Sequence, residues 1–544
     1  MMVTEIELKY LLLDNEAQAT MEQVKATIEL LLNNSETNFS YQQKVLTNRY
    51  FDTPKLLFRQ HRIALRSRGT KFENNECFEQ TIKTSGKVIA GLHQRPEYNI
   101  DIDNNQPILS LFPEAIWPEE IDVNQLQQEI VELFSTNFTR HTWLITLATG
   151  QVELAFDSGT IACKDFSQTP NIYEIELELV SGDTEALFFV TQILFSKLAL
   201  RPGQSTKAAR GYALFHQSQS QASMIENKLT HLKESPKKSA YNRKNEAVKQ
   251  ATFFTMPLSK SMSIEQALKA GIGFCLSQLQ LNVDNYVAEP FLSKLGKINE
   301  ILRLIRQGLW LFSPLLSDED SKLRDELSYY IRTMHWVDNA HYIQALINKQ
   351  STYQKESAVT QKIITKLELD KKRYPCELEV LSLLHCERFN NLQLALLALL
   401  LREESLQSDN ITTEQKLVDF ACTELKQSFS LLTHSLLSPE GLTSKEYYFK
   451  AHSLLTRALL TQHWFSSLFI EQGSKLIKNF NMPWLDIKQG ISELQSIELL
   501  KQQLEQLPEP EHKLIDWLIT KNDNLLAALD QSRMKGLSMK CYWC

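Results

Sequence analysis

Long apolar runs are missing from this 544-residue chain. No stretch approaches the roughly 20 consecutive apolar residues that a bilayer span requires. No apolar run follows a basic segment near the first residue either, so a secretory leader is not expected. Excess positive charge is also missing. The formal net charge is -7, which speaks against a general nucleic-acid binder, whose footprint is a basic excess. Cysteine is sparse, with eight residues scattered without paired spacing, a usage that suits a reducing compartment better than a disulfide scaffold. The C-x-x-C of Cys541 and Cys544 has neither the second pair nor the histidines that a zinc site needs, and a chain end is a poor place for a redox centre. Together these absences point to a cytoplasmic protein with no membrane and no specific nucleic-acid partner. The length admits three or four domains, or two large ones.

What the chain does contain is a set of strands with one ionised face. Side chains alternate along an extended segment, so Glu5, Glu7 and Lys9 share one side of the first strand while Ile6, Leu8 and Tyr10 share the other. Arg62, Ala64, Arg66 and Arg68 line up in the same way from His61 to Arg68, with Ile63 and Leu65 opposite. Glu174, Glu176 and Glu178 alternate with Tyr173, Ile175, Leu177 and Leu179. Glu153, Ala155 and Asp157 alternate with Val152, Leu154 and Phe156. Two further sets, Glu79 with Thr81 and Lys83, and Arg95 with Glu97 and Asn99, keep the same period. One such strand is an ordinary surface strand. Several of them, with acids on some and bases on others, gain nothing in solubility from that sorting.

A closed antiparallel barrel accounts for the pattern if the ionised faces point inward and helices of the same domain cover the apolar faces. Buried charge is tolerated only when it is paired, metal-bound or wetted. The ligand that satisfies both signs is a polyanion with divalent cations, because clustered carboxylates hold hard metals and arginine and lysine hold phosphate oxygens. The expected fold class is therefore α+β, a closed antiparallel β-barrel with covering helices followed by an all-α bundle.

Six blocks of sequence carry a family resemblance. They are Glu-Ile-Glu-Leu-Lys (5 to 9), Tyr-Phe-Asp-Thr-Pro (50 to 54), Ala-Leu-Arg-Ser-Arg (64 to 68), Gln-Arg-Pro-Glu-Tyr (94 to 98), Glu-Ile-Glu-Leu-Glu-Leu (174 to 179) and Thr-Lys-Ala-Ala-Arg-Gly-Tyr (206 to 212). In this order they resemble the signature of the CYTH superfamily, the triphosphate tunnel metalloenzymes, and the whole chain resembles bacterial inorganic triphosphatases in which a helical CHAD domain follows the CYTH domain. The resemblance implies hydrolysis of tripolyphosphate to pyrophosphate and phosphate by direct water attack. It implies Mg2+ or Mn2+ held by Glu5, Glu7, Asp157, Glu176 and Glu178, with Glu97 nearby, and a triphosphate held by Lys9, Arg66, Arg68, Lys83, Arg95, Arg140 and Lys207. Of these, Lys9, Arg66, Arg68 and Lys83 are the expected catalytic cations. Relatives that act on nucleoside or thiamine triphosphates or cyclise ATP are the alternative, as is a polyphosphate-binding scaffold without turnover.

The expected domains are 1–216 for the tunnel, 217–255 for a polar basic linker and 256–544 for the helical half. Apolar spacing predicts helices from Asn15 to Leu32, Val123 to Leu133 and Glu185 to Leu198, the last capped by Asp183, with Pro54 opening a short helix. Strands are expected from Thr136 to Thr149 and Gln151 to Asp157, around Gly150, and a turn from Ser85 to His93. Ser263 and Gln266 have capping-box spacing, and leucine-rich periodic segments follow, including 298–312, 378–401 and 417–437. CHAD domains, by resemblance, bind polyphosphate through basic residues. Here Lys294 and Arg303, like Lys297 and Arg306, fall on opposite helix faces at about 100 degrees per residue. A degenerate CHAD-like domain, structural or regulatory, is expected.

Overall fold

The computed structural model describes residues 2–12, 21–35, 37–72, 75–89, 91–118, 122–164, 166–231, 255–341, 374–402, 416–437, 444–505 and 512–543. The chain divides into two compact units, Met1–Lys249 with Ser382–Leu394 and Gln250–Leu381 with Ala395–Cys544. The strands of the first are β1 (Met2–Leu12), β2 (Asn38–Asp52), β3 (Ala64–Phe72), β4 (Asn75–Lys83), β5 (Lys87–Ile89), β6 (Leu92–Ile102), β7 (Val131–Leu147), β8 (Gly150–Cys163), β9 (Asn171–Gly182) and β10 (Leu200–Pro202). Its helices are α1 (Met21–Asn34), α2 (Leu57–Gln60), α3 (Val123–Glu129), α4 (Thr184–Phe195) and α5 (Lys207–His231).

Eight strands close on themselves in the order β1, β9, β8, β7, β2, β3, β4, β6, with β6 pairing back to β1. Closure leaves no free edge in the ring, and the short β5 and β10 add to β6 and β1. The alternation read from the sequence then has a single consistent meaning. Leu8, Tyr10, Leu65, Ile82, Leu154, Ile175 and Leu177, on the apolar faces, are all buried. Helix α4 packs on β8 and β9, α5 on β7 and β8, and α1 on α4. Helix α1 buries Val24, Ile28, Leu31 and Leu32, the stripe that its apolar spacing predicts. Tyr10 meets Phe195 of α4 edge to face with ring centroids 5.3 Å apart.

Asp52 is the polar pin of this shell. Fully buried, its carboxylate accepts the backbone N–H groups of Thr53 (2.7 Å), Phe58 (2.8 Å) and Arg59 (3.0 Å) and the Tyr212 hydroxyl (3.0 Å). The block 50 to 54 is thereby tied to the block 206 to 212, although they lie far apart in sequence.

Several local expectations need correction. The helix at Val123 stops at Glu129, and Val131 begins the long strand β7; Leu133 and Phe134 join the apolar core outside the barrel, and that burial overrides local helix propensity. Strand β3 starts at Ala64, because Arg62 takes a left-handed conformation (φ 58°) that breaks an extended run before it. Pro54 precedes rather than opens the short helix, which starts at Leu57 and is anchored by Asp52. Ser85 to His93 is more than a turn: β5 pairs with β6 across Gly91 (φ 92°), and His93 belongs to β6. Asp183 holds the N-cap position of α4 without a side-chain capping bond. The 15–20 end of the first predicted helix, residues 232–254 of the linker and Cys544 lie outside the described residues.

Beyond the barrel strands the described chain is helical: α6 (Ile264–Ala288), α7 (Leu292–Leu311), α8 (Asp318–Thr333), α9 (Glu377–His385), α10 (Glu387–Leu401), α11 (Leu417–Ser435), α12 (Lys445–Phe465), α13 (Ser474–Glu505) and α14 (His512–Ser538). The capping box of Ser263 and Gln266 forms as its spacing predicts. The run from 378 to 401 is a helix pair, and among the described residues no helix is long and apolar enough to cross a membrane. Trp464 is the centre of the second unit. A Cβ on Gly271 of α6 or Gly308 of α7 would stand 2.0 or 2.1 Å from its ring, so glycine is required where these helices close on it.

Asp52→Ala leaves three backbone donors and one hydroxyl without their shared acceptor. The substitution is expected to lower the unfolding free energy of the barrel by roughly 3 kcal/mol. Urea denaturation followed by barrel tryptophan fluorescence measures it, and an unchanged midpoint would refute the role of Asp52.

Candidate active site

Alternation in a closed ring leaves the ionised faces only one place to go. They enclose a cavity of about 290 Å3 lined by every predicted site residue except Asp157, and by Glu79, Glu97, Asn99 and Glu153 as well. Asp157 stands just behind it, fully buried and bonded to two of the lining cations.

The charges fall into two groups with different electrostatics. In the first, three acids meet four cations. Arg140 grips Asp157 through two 2.7 Å bonds and reaches Glu176 at 2.6 Å. Lys207 contacts Asp157 at 2.6 Å, Glu174 at 2.5 Å and Glu176 at 2.8 Å. Lys9 adds Glu174 at 2.5 Å and Glu176 at 3.4 Å, and Arg210 adds Glu174 at 3.1 Å. Burial alone would raise Glu176 and Asp157, but Lys207, Lys9 and Arg140 hold Glu176 well below the usual range, and Arg140 and Lys207 lower Asp157. The same acids raise Lys207 above its ordinary value against the cost of its burial. Carboxylate atoms of Asp157, Glu174 and Glu176 lie within 4.8 Å of one another, close enough to hold a metal ion, but ammonium and guanidinium groups already occupy their lone pairs.

The second group has acids in surplus. Lys83 bonds Glu5 at 2.7 Å and Glu97 at 3.1 Å, Arg66 approaches Glu97 at 3.5 Å, and Arg95 meets Glu7 at 3.2 Å. Burial opposes ionisation of Glu97, yet Lys83 and Arg66 pull it down to about 2. Glu178 is treated differently: burial, reinforced by Glu5 and Glu153, pushes it up to about 7. The strand register explains why. Glu7 pairs directly with Glu178, and Glu178 directly with Glu153, so three carboxylates stand side by side on β1, β9 and β8. Like charges directly opposite one another repel. No ion pair or hydrogen bond reaches Glu178 or Glu153 among the described residues. All-oxygen donors in surplus over their cations are the chemistry that a hard divalent cation takes, and Glu178 and Glu153, without a cation partner among the described residues, stand beside Glu5 and Glu7 in that cavity.

On the cationic side, Arg68 donates to Asn48 at 2.8 Å and has no carboxylate partner among the described residues; burial and the neighbouring Arg66 and Arg140 lower it to about 10. It stays charged and ready for an anion.

Sequence reasoning missed Glu153, Glu174 and Arg210. Glu174 and Glu153 share the two-residue period of Glu176, Glu178 and Asp157, so the signal was present and only the ring geometry ranks it. Arg210, three residues after Lys207 on α5, has the spacing of a solvated helix face, and nothing local shows that Glu174 waits for it.

Without a bound cation, Glu178 keeps its proton to about pH 7 in the folded chain but loses it near the ordinary carboxylate value of about 4.3 when unfolded. The folded state then binds more protons between these values, so stability falls as pH rises through the window, by roughly 2 kcal/mol after allowing for partial exposure. Glu178→Gln removes the slope in urea titrations at pH 5 and 7.5. A divalent cation competes for the same carboxylate, so its affinity rises as pH passes 7 in the native chain and not in the variant; equal slopes would refute the assignment.

Residues 4–212 match the family model described as the CYTH domain. An inorganic triphosphatase of Haemophilus influenzae is 33% identical over 179 residues, 33% of this chain and 48% of that protein, so the chain spans about half the length of the curated relative it matches. Solved structures with likeness include a Hippeastrum protein with a dominant triphosphatase activity, at 21% identity and a TM-score of 0.28, covering 39% of this chain and 96% of that one. Another is the CHAD domain from Ricinus communis, at 15% identity and a TM-score of 0.38, covering 54% and 98%. The six blocks and the closed ring that they build lie within the residues that match the CYTH domain model.

Proposed function

We propose that the barrel hydrolyses inorganic tripolyphosphate to pyrophosphate and phosphate with the help of Mg2+ or Mn2+. The observation that carries this reading is the row of Glu7, Glu178 and Glu153, the last two without a cation partner among the described residues, inside the same cavity as a set of buried cations. A polyanion alone suits the cations but not the acid row; a polyanion with a divalent cation suits both. The 33% identical triphosphatase supports the reaction class.

Glu5, Glu7, Glu153 and Glu178 would hold the cation, which when bound screens phosphate oxygens from these carboxylates and acidifies a coordinated water. Arg66, Arg68, Lys83 and Arg95 then bind the phosphate chain from β3, β4 and β6, the arginines by paired N–H donors and the lysine as a point charge. Lys9, Arg140 and Lys207 bind it from the opposite side, where Asp157, Glu174 and Glu176 hold them in place. Asp157 and Glu176, expected as ligands, thus serve in this reading mainly to position cations. Fixed donors around the chain orient it for in-line attack and stabilise charge on the transferred phosphoryl group.

An organic triphosphate needs a wall for its base or ring, and the aromatic lining residues are Tyr50 and Phe138. The face of Phe138 already receives Lys207 at 5.1 Å and Arg140 at 5.8 Å. Inorganic substrate is therefore preferred over nucleoside or thiamine triphosphates. We assign the activity to residues 1–216, place it in the cytoplasm, and treat 256–544, after the linker at 217–255, as a CHAD-like domain with a structural or regulatory role. Polyphosphate binding by the helices gains no support, since Lys294 is taken by Glu289 and Arg303 by Asp338, both at 2.7 Å.

Phosphate release from tripolyphosphate, ATP, thiamine triphosphate and long-chain polyphosphate, with Mg2+, Mn2+ or EDTA, tests the proposal. Tripolyphosphate should be turned over fastest, EDTA should stop the reaction, and Glu7→Gln or Glu178→Gln should each cut kcat by on the order of 100-fold or more. Binding of polyphosphate without any turnover would replace the enzyme with a scaffold.

A further inference from the structure

Arg68 differs from the other cations of the cavity in what holds it. Every other lysine and arginine of the lining meets a carboxylate within 3.5 Å. Arg68 instead gives its Nε–H to a neutral amide, the Oδ1 of Asn48, at 2.8 Å. Its terminal nitrogens have no partner among the described residues, and Glu79, directly opposite on β4, makes no ion pair with it.

Strand register builds this contact. Thr136 of β7 pairs directly with Asn48 of β2, and Asn48 pairs directly with Arg68 of β3, so the three side chains stand in line on one face of the sheet. Asn48 and Thr136 are both fully buried. A guanidinium can only donate, so the amide of Asn48 has to turn its oxygen toward Arg68. Its nitrogen then faces the other way, where the Thr136 hydroxyl oxygen accepts from Nδ2 at 2.9 Å. One orientation of the amide satisfies both neighbours. Arg68 is thereby fixed through Nε, and its forked end is left for the cavity that it lines.

We propose that Asn48 is a positioning residue for the substrate: it aims the Arg68 guanidinium at the phosphate chain while leaving its charge uncompensated. The inference rests on the tripolyphosphate reading of the cavity and adds the group, behind the lining, that keeps one cation free for the anion. A carboxylate in the same place would aim Arg68 equally well but neutralise it. An apolar residue would leave the charge whole but the side chain loose, and its rotamer freedom would be lost at each binding event. The amide meets both demands.

Binding of diimidotriphosphate, a tripolyphosphate analogue with P–N–P links, to the full chain in Mg2+ tests this without turnover. Titration calorimetry gives the affinity, and urea midpoints of the same variants report the fold. Arg68→Ala is the reference and should weaken binding on the order of tenfold or more. Asn48→Asp keeps an acceptor for Arg68, and the Thr136 hydroxyl can turn to donate to it; the midpoint should stay near native while affinity falls on the order of tenfold. Asn48→Ala should also weaken binding, but add nothing in the Arg68→Ala chain, because both changes act through one guanidinium. A merely structural amide gives the opposite pattern, in which Asp restores affinity along with the fold. Native-like affinity in Asn48→Asp, or losses that add in the double variant, overturns the role of Asn48 and leaves the reading of the cavity intact. If Arg68→Ala binds the analogue as the native chain does, or the native chain does not bind it, that reading is itself wrong and the proposal for Asn48 falls with it.

Discussion

Everything in the first unit depends on the requirement that charge inside a closed barrel be neutralised. A buried ion left alone costs several kcal/mol, and the ring of eight strands turns every inward face away from bulk water. Lys9, almost wholly buried, is tolerated because Glu174 and Glu176 meet it, and Lys207 because three acids do. These pairs are weak evidence for stability, since the cost of drying both partners offsets most of their attraction. Their value lies in placement: each holds a cation within reach of the cavity in one orientation.

The same requirement makes the exceptions informative. Where acids outnumber bases, as at Glu178 and Glu153, no cation among the described residues pairs with them, and burial together with the neighbouring acids pushes Glu178 up. Where a base lacks an acid, as at Arg68, its value falls instead. The cavity is thus left with unpaired charge of both signs, and in the proposed reading a phosphate chain with a divalent cation would supply the missing charges together.

Outside the ring, the polar pin at Asp52 plays a comparable part for the shell. It joins the end of β2, the turn into α2 and the hydroxyl of Tyr212 on α5. Because Lys207 and Arg210 sit on the first turns of α5, the anchoring of that helix also sets where two of the tunnel cations enter. The helical unit has its own organising contact, the indole of Trp464 seated against Gly271 and Gly308 and donating to the Leu304 carbonyl at 3.0 Å.

The two-residue alternation of charge and oil was enough to place Glu5, Glu7, Lys9, Arg66, Arg68 and the glutamates of β9 on inward faces, because side-chain direction in a strand is set by parity alone. Helix spacing likewise marked α1 and the helical half, since an amphipathic stripe is a local property. Tertiary structure decided what parity cannot: which strands are neighbours and in what register. Register puts Glu7 beside Glu178, gives Glu174 to Lys9 and Lys207, and brings Arg210 from a helix into the barrel's charge network. It also turned the end of a predicted helix at Val131 into strand, because burial of Leu133 and Phe134 against α5 outweighs local propensity. Sequence determined which way the charges face; only closure of the ring determined which charges meet.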